Sequence, residues 1–206
     1  MTPAELIAAE DQLVQLWRDG EVNALSHFCG SKDGQYEEWM CAFFAAHIRP
    51  TDYVLGSHRC HYAALLHGIP LDEVKEMVRR GRSMFIYAPR FICSAIVAGT
   101  AGIAAGLALA AKLQGTGQKV FCFLGDGAED QGSAYEAIWF VEERGLPCTF
   151  IIEDNSSSCG VSREQRRGSD RQRPWPGCVR RVSYESKYPH AGTVERPVLK
   201  SMVPAV

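Results

Sequence analysis

The chain has 206 residues, of which 46% are apolar and 22% charged, with a formal net charge of −2. That is long enough for one large domain with a full core, and the composition is ordinary for a soluble globular protein. No apolar stretch is both long and uninterrupted enough to cross a membrane, and Met1-Thr2-Pro3-Ala4-Glu5 lacks the basic-then-apolar pattern of a secretion signal.

Pro3 to Arg18 alternates at helical spacing through Leu6, Leu13, Val14 and Trp17, and Gly20 stops it. Gly34 to Ile48 predicts a second helix, ended by Pro50. Tyr53 to Leu55 reads as a short extended piece and Gly56 to His61 as a polar loop. Pro70 to Arg80 predicts a helix with an acidic and basic outer face. Ser83 to Phe91 reads as irregular. An apolar helix follows from about Ser94 to Leu113, and Gly115-Thr116-Gly117 turns the chain. Gly99, Gly102 and Gly106 share one face of that helix, which predicts close helix packing and is compatible with a partner subunit lying there. Val120 to Leu124 then reads as a buried strand, Ala134 to Arg144 as a helix, and Cys148 to Ile152 as a second buried strand. From Gly168 the pattern weakens, and Arg173-Pro174-Trp175-Pro176-Gly177 is a breaker cluster. Only the run from Pro197 to Leu199 is apolar after it.

The eight cysteines form no Cys-x-x-Cys pair, and Cys122 and Cys148 fall inside core strands. This predicts reduced thiols and a cytoplasmic protein. Charge is uneven: residues 163–206 carry ten Lys or Arg against four Asp or Glu, a net of +6, which leaves −8 for residues 1–162. The plainer reading of the basic stretch is a solvated surface segment. The sharper one is contact with something anionic, such as a diphosphate or an acidic partner face. Nucleic acid is the weakest option, since no nucleic-acid module is visible.

The order strand, Gly125-Asp126-Gly127, helix, strand, Glu153-Asp154-Asn155 predicts an α/β fold, a doubly wound, mostly parallel sheet flanked by helices. Both turns then lie at the carboxyl ends of neighbouring strands. A carboxylate and an amide oxygen placed there can hold one hard cation that also binds a diphosphate. The alternative for Asp126 taken alone is a helix N-cap. Glu129 and Asp130 are expected to bias the following helix start electrostatically.

Gly-Asp-Gly followed by an Asn after a second buried strand resembles the thiamine diphosphate and magnesium signature. The resemblance implies magnesium ligation by Asp126, Asn155 and the Ser157 carbonyl, with Gly125, Gly127 and Ala128 lining the cofactor. The family usually has two Asn in a row; Asp154 stands at the first. Within the family, roughly residues 5–165 resemble the alpha subunit of two-oxoacid dehydrogenases, the decarboxylating component. Gly34-Gln35-Tyr36-Glu37, Arg49-Pro50-Thr51-Asp52, His58-Arg59-Cys60-His61, Ser83-Met84, Ile96-Val97, Gly106-Leu107-Ala108 and Gln131-Gly132 carry it in order. It implies a diphosphate clamp at Arg59 and an aminopyrimidine facing the backbones of Ala95 and Val97. By their own chemistry His58 and His61, the candidate catalytic residues, could orient the diphosphate or polarise a substrate carbonyl, and the weakening pattern after residue 167 divides the chain into a domain over 1–167 and a basic tail over 168–206. A beta-type subunit would supply the activating Glu, in a hetero-oligomer of two alpha and two beta chains.

The family continues to a catalytic His loop, whereas here only His190 follows Asn155. That points to a truncated or divergent short form. Ser57-His58 and Asp154-Asn155 also resemble a transketolase N-terminal half, which implies a ketose in place of a two-oxo acid. The short tail and Phe85, where the family has His, leave an inert scaffold as a third reading. A zinc site at His58 and His61 would need further ligands. His27, His47 and His67 read as helix or loop residues.

Overall fold

The computed structural model describes residues 1–197; the apolar run at Pro197 lies outside them from residue 198 on. The elements in chain order are α1 (Pro3–Arg18), α2 (Gln35–His47), β1 (Tyr53–Gly56), α3 (His61–Leu66), α4 (Leu71–Arg79), β2 (Tyr87–Ala88), β3 (Phe91–Cys93), α5 (Gly99–Gln114), β4 (Val120–Gly125), α6 (Gly132–Glu143), β5 (Cys148–Asp154), β6 (Ser157–Ser158), β7 (Val161–Ser162), α7 (Arg163–Arg167) and β8 (Val179–Ser183). Six strands form one sheet in the order β2-β3-β1-β4-β5-β8, parallel throughout except for β2 at one edge.

Alternation along the central strands builds a core on each face of this sheet. Phe121, Phe123 and Ile151 point into a cluster with α1, α2, α3 and α4, through residues such as Leu13, Met40 and Val74. Val120, Cys122, Leu124, Phe150 and Ile152 point the other way, onto α5 and α6. Helices cover both faces, which is why these strands read as continuous apolar runs. Among the described residues no helix is long and apolar enough to cross a membrane.

Several local expectations change. The apolar helix begins at Gly99, not Ser94, because Ala98 adopts a left-handed φ of 59° that breaks the helical path. Gly102 and Gly106 do not serve packing within the chain: a Cβ on either would meet nothing within 4 Å. The polar loop after β1 ends in the short helix α3, and the irregular stretch before Phe91 contains β2, paired with β3. The weakly patterned stretch after Gly168 supplies β8, which pairs with β5 from Phe150↔Val179 to Asp154↔Ser183.

Beyond β8 the chain runs antiparallel to residues 26–32. Lys32 N–H donates to the Glu185 carbonyl at 3.0 Å, Lys187 N–H to Gly30 at 2.9 Å and Gly192 N–H to Ser26 at 2.9 Å. These bonds bring residues 185–192 to the carboxyl ends of the sheet strands.

Candidate functional site

From β1 the chain steps to β3 on one side, then crosses to β4 on the other. The crevice between β1 and β4 is therefore a topological switch point, where open α/β sheets bind ligands beyond the carboxyl ends of their strands. A cavity of about 560 Å³ lies there. Ser57, His58 and Arg59 reach it from the end of β1, Ala95 from beyond β3, Asp126 from β4, Asn155 from β5 and Tyr184 from β8.

Asp126 and Asn155 each directly follow the last residue of adjacent parallel strands. The register Gly125↔Glu153 and a 3.2 Å bond from Asp126 N–H to the Glu153 carbonyl hold the two ends level. Asp126 is not a helix cap: Gln131 precedes α6, with no side-chain cap bond. The Asn155 side chain accepts from Ser157 N–H at 3.1 Å, and Asp154 accepts from Ser156 N–H at 3.0 Å. These two local turns, with Ser156 at φ 58°, curl the chain back so that Ser157 also lines the cavity. Gly127 lies close under this curl; a Cβ there would fall 2.1 Å from Ser158 Oγ. Only a residue without a side chain lets the two turns approach this closely.

Of the residues singled out from the sequence, Gly125, Asp126, Gly127, Ala128, Asn155, Ser157, His58, Arg59, Ala95 and Val97 all line this one cavity. His61 does not. It is buried behind the wall, with Nδ1 2.9 Å from Glu10 and Nε2 2.9 Å from Ser83. Its place as the first residue of α3 turns it into the core, away from His58. Arg59 reaches the wall, yet its guanidinium donates to the carbonyls of Phe28, Pro189 (2.9 Å) and His190 (3.4 Å). It ties down the segment after β8.

The basic segment is a solvated surface only in part: Arg171 and Arg180 are exposed, whereas four arginines are turned inward onto carboxylates. Arg166 donates to Asp126 at 2.8 Å and to Asp130 at 3.0 Å. Arg167 holds Glu129 at 2.8 Å and Asp130 at 2.5 Å, and Arg181 bridges Glu129 and Asp154 at 2.6 Å each. Arg163 pairs with Asp154 as well. Glu129 and Asp130 thus anchor arginines and do not simply polarise a helix start. Burial lifts the Asp126 carboxyl above its ordinary pKa, and Arg166 offsets only part of that; Asp154 adds to the rise.

Two groups in the cavity wall escaped the sequence reading. In sequence His27 reads as a helix or loop residue, because nothing local marks it. Glu153 reads as part of a turn, yet it is the penultimate residue of β5, 5% exposed, and accepts from Tyr36 Oη and from Ser57 Oγ at 3.3 Å. Burial pushes its carboxyl up to about 7. A carboxyl raised from 4.5 in the unfolded chain to about 7 in the folded one binds its proton more tightly when folded. Stability from this group is then complete below pH 4.5 and is lost as pH rises through 7. The loss is on the order of 3 kcal/mol. Glu153→Gln is expected to flatten that part of the profile. Urea midpoints for both proteins at several values across this range are the check, and parallel pH dependences would refute the assignment.

An α/β domain with polar side chains converging on a switch-point cavity belongs to the class that binds a ligand beyond the carboxyl ends of its strands. The family comparison agrees: the dehydrogenase E1 component family matches residues 8–173, and the chain belongs to it. The pyruvate dehydrogenase E1 component subunit alpha, somatic form, of Sus scrofa is 33% identical over 165 residues, covering 75% of this chain and 41% of that protein. The Homo sapiens somatic form gives the same figures, and the Sminthopsis macroura subunit is 34% identical over 152 residues, covering 69% and 41%. The chain thus spans about two-fifths of the length of these relatives. A solved structure assigned to a thiamin diphosphate-dependent enzyme of Mycobacterium smegmatis overlaps 58% of this chain and 20% of its own, at 17% identity and a TM-score of 0.39, too partial an overlap to bear on the fold.

Proposed function

We propose that this chain binds the diphosphate end of thiamine diphosphate through magnesium and acts, with a beta-type subunit, in the decarboxylation of a two-oxo acid. The observation that carries the reading is the convergence of Asp126, Asn155 and Ser157 on one cavity at the ends of β4 and β5. The donor chemistry fits the ion: a buried carboxylate, an amide oxygen and a main-chain carbonyl are hard oxygen donors of the kind magnesium takes. The close Gly127–Ser158 approach leaves no room for a side chain beside them, and the Arg166 guanidinium holds the Asp126 oxygen that a cation would take from it. Asp126, Asn155 and the Ser157 carbonyl would hold the ion, with Gly125, Gly127 and Ala128 along the diphosphate and Ala95 and Val97 along the aminopyrimidine. When bound, thiamine diphosphate would supply a nucleophilic thiazolium carbon and an electron sink for the decarboxylation of a two-oxo acid.

The chain's own part is to bind and orient. His58, half-buried in the wall, offers an imidazole that burial keeps neutral. No carboxylate of this chain is proposed as the group that activates the aminopyrimidine; that role falls to the partner in an assembly of two alpha and two beta chains. The acyl group would pass to an acceptor held elsewhere.

Calorimetric titration of thiamine diphosphate, with and without magnesium, tests the reading on this chain co-expressed with a beta-type partner. Binding that requires magnesium and disappears in Asp126→Ala is the expected result; equal heats from both proteins would reject the site. The Arg166–Asp126 pair favours a second reading, an inert pseudo-subunit whose cation position is filled from within the chain. Carbon dioxide release by the assembled pair separates the two.

A further inference from the structure

Three histidines far apart in sequence meet in the cavity wall. His27 comes from the segment after α1, His58 from the end of β1, and His190 from the stretch after β8. One ring nitrogen from each lies within 4.8 Å of the others. His27 Nε2 and His190 Nε2 are 3.3 Å apart. The rings of His27 and His58, and of His27 and His190, have centroids 4.7 Å apart and are steeply inclined, at 85° and 74°. Both pairs are T-shaped and do not stack.

From these positions we propose that His27, His58 and His190 bind a single transition-metal ion of the zinc class, leaving one coordination position open to the cavity.

The His27–His190 spacing is that of two ligands of a tetrahedral site, since two nitrogens each about 2.0–2.1 Å from zinc are about 3.3–3.4 Å apart. Three protein ligands with a fourth position free is the arrangement of an open zinc site. The alternative, three imidazoles bonded to one another, satisfies them poorly. Each neutral imidazole has one N–H and one lone pair, and among the described contacts only His27 and His190 lie within hydrogen-bonding distance of each other, so the three rings pair only in part. One cation takes those lone pairs at once. Neutral rings are what a metal needs, and burial keeps all three neutral: His27 falls to about 3, and His58 and His190 also fall below their ordinary value.

The scaffold that delivers His190 is specific. Arg59, next to His58 in sequence, grips the carbonyls of Pro189 and His190, and Gly192 N–H is bonded to the Ser26 carbonyl beside His27. These contacts hold the three carriers together without using the ring nitrogens. A second cluster, Glu10, Cys29 and His61, also brings ligand atoms close. There Glu10 Oε1 is already shared between Cys29 N–H at 2.8 Å and His61 at 2.9 Å, and burial pushes the Cys29 thiol up.

Zinc chloride titrated into the metal-free full-length chain, in competition with a chromogenic chelator, tests the site. One tight zinc per chain is expected, with X-ray absorption showing only nitrogen and oxygen neighbours. His58→Ala and His190→Ala should each weaken binding at least ~100-fold, the upper end of what loss of a mere outer-shell partner costs. His47→Ala, on α2, should not. Thermal melts check that the variants fold; were one unfolded, the absorption spectrum of the wild-type chain decides alone. No zinc bound against the chelator, a sulfur neighbour in the spectrum, or folded variants that bind like wild type would each overturn the proposal. Asp126→Ala is expected to keep zinc while losing magnesium-dependent cofactor binding, so failure of one site is distinguishable from failure of the other.

Discussion

Arg181→Ala is expected to lower the stability of the folded chain by about 3–5 kcal/mol, the cost of removing one partner from a buried ion pair. Arg181 stands on β8 and bridges two carboxylates, Glu129 and Asp154, whose side chains are 0% and 1% exposed. Their charges stay favourable only while guanidinium groups face them. Burial on its own would raise the Glu129 carboxyl, and the bonds from Arg181, Trp175 and Arg167 bring it below its ordinary value instead. Without Arg181, Arg167 is the one cationic partner left on Glu129 and Arg163 the one left on Asp154 among the described residues. β8 would also lose its side-chain tie to the strand ends, so the effect reaches the cavity. A melt should fall by roughly 10 °C for a chain of this size. Arg180→Ala, at the exposed neighbouring position, is the control. Equal melting temperatures for Arg181→Ala and Arg180→Ala would show that the cluster contributes nothing to stability.

The second large effect concerns Arg166, and it rests on the magnesium reading. Arg166→Gln is expected to tighten magnesium at Asp126 by at least ~tenfold, or about 1.4 kcal/mol. In the folded chain the guanidinium competes with any incoming cation for Asp126 Oδ2. Two unit charges near 4 Å interact by about 4 kcal/mol at an effective dielectric of 20, so removing one repulsive charge beside a dication comfortably supplies a tenfold gain. Glutamine keeps a donor for Asp126 or Asp130 but no charge. The partly uncovered Asp126 and Asp154 then repel each other more, which lowers stability when no cation is bound and favours binding when one is. Magnesium titration of the two proteins, each with thiamine diphosphate present, gives the ratio directly. Unchanged or weaker affinity in Arg166→Gln would mean that Arg166 does not stand in the cation's way. A strong gain together with restored turnover would mean that the chain holds its own site closed.

Taken together, these expectations describe a cavity whose acidic side is balanced internally by one arginine segment. The same segment carries the chain to β8 and on to His190. Cation binding at Asp126 and metal binding at the histidines would therefore act on one cavity through connected backbone. Glu153, bonded by Tyr36 and Ser57, lines the same cavity with a carboxyl that burial pushes up to about 7.

What was legible in the sequence was local. The strands β4 and β5 announce themselves as short apolar runs because both their faces are covered, and the turns that end them show Gly-Asp-Gly and Asp-Asn within a few residues. Parallel pairing of two such strands brings their carboxyl ends level, so Asp126 and Asn155 could be placed at one site from spacing alone. Helix α1 was equally plain, with Thr2 and Glu5 forming a capping box around Pro3. The tertiary structure alone decided the rest. His61 and His58 are three residues apart yet face opposite ways, because α3 starts between them. His27, His58 and His190 share no period or motif; they meet only because residues 185–192 run back along residues 26–32. The arginines read as a solvated stretch because an ion pair leaves no periodic trace in sequence, and their partners lie 9 to 52 residues away in the chain. Apolar periodicity records which face of an element is buried; which charges meet across the fold is set by sheet order, and that is fixed only when the whole chain packs.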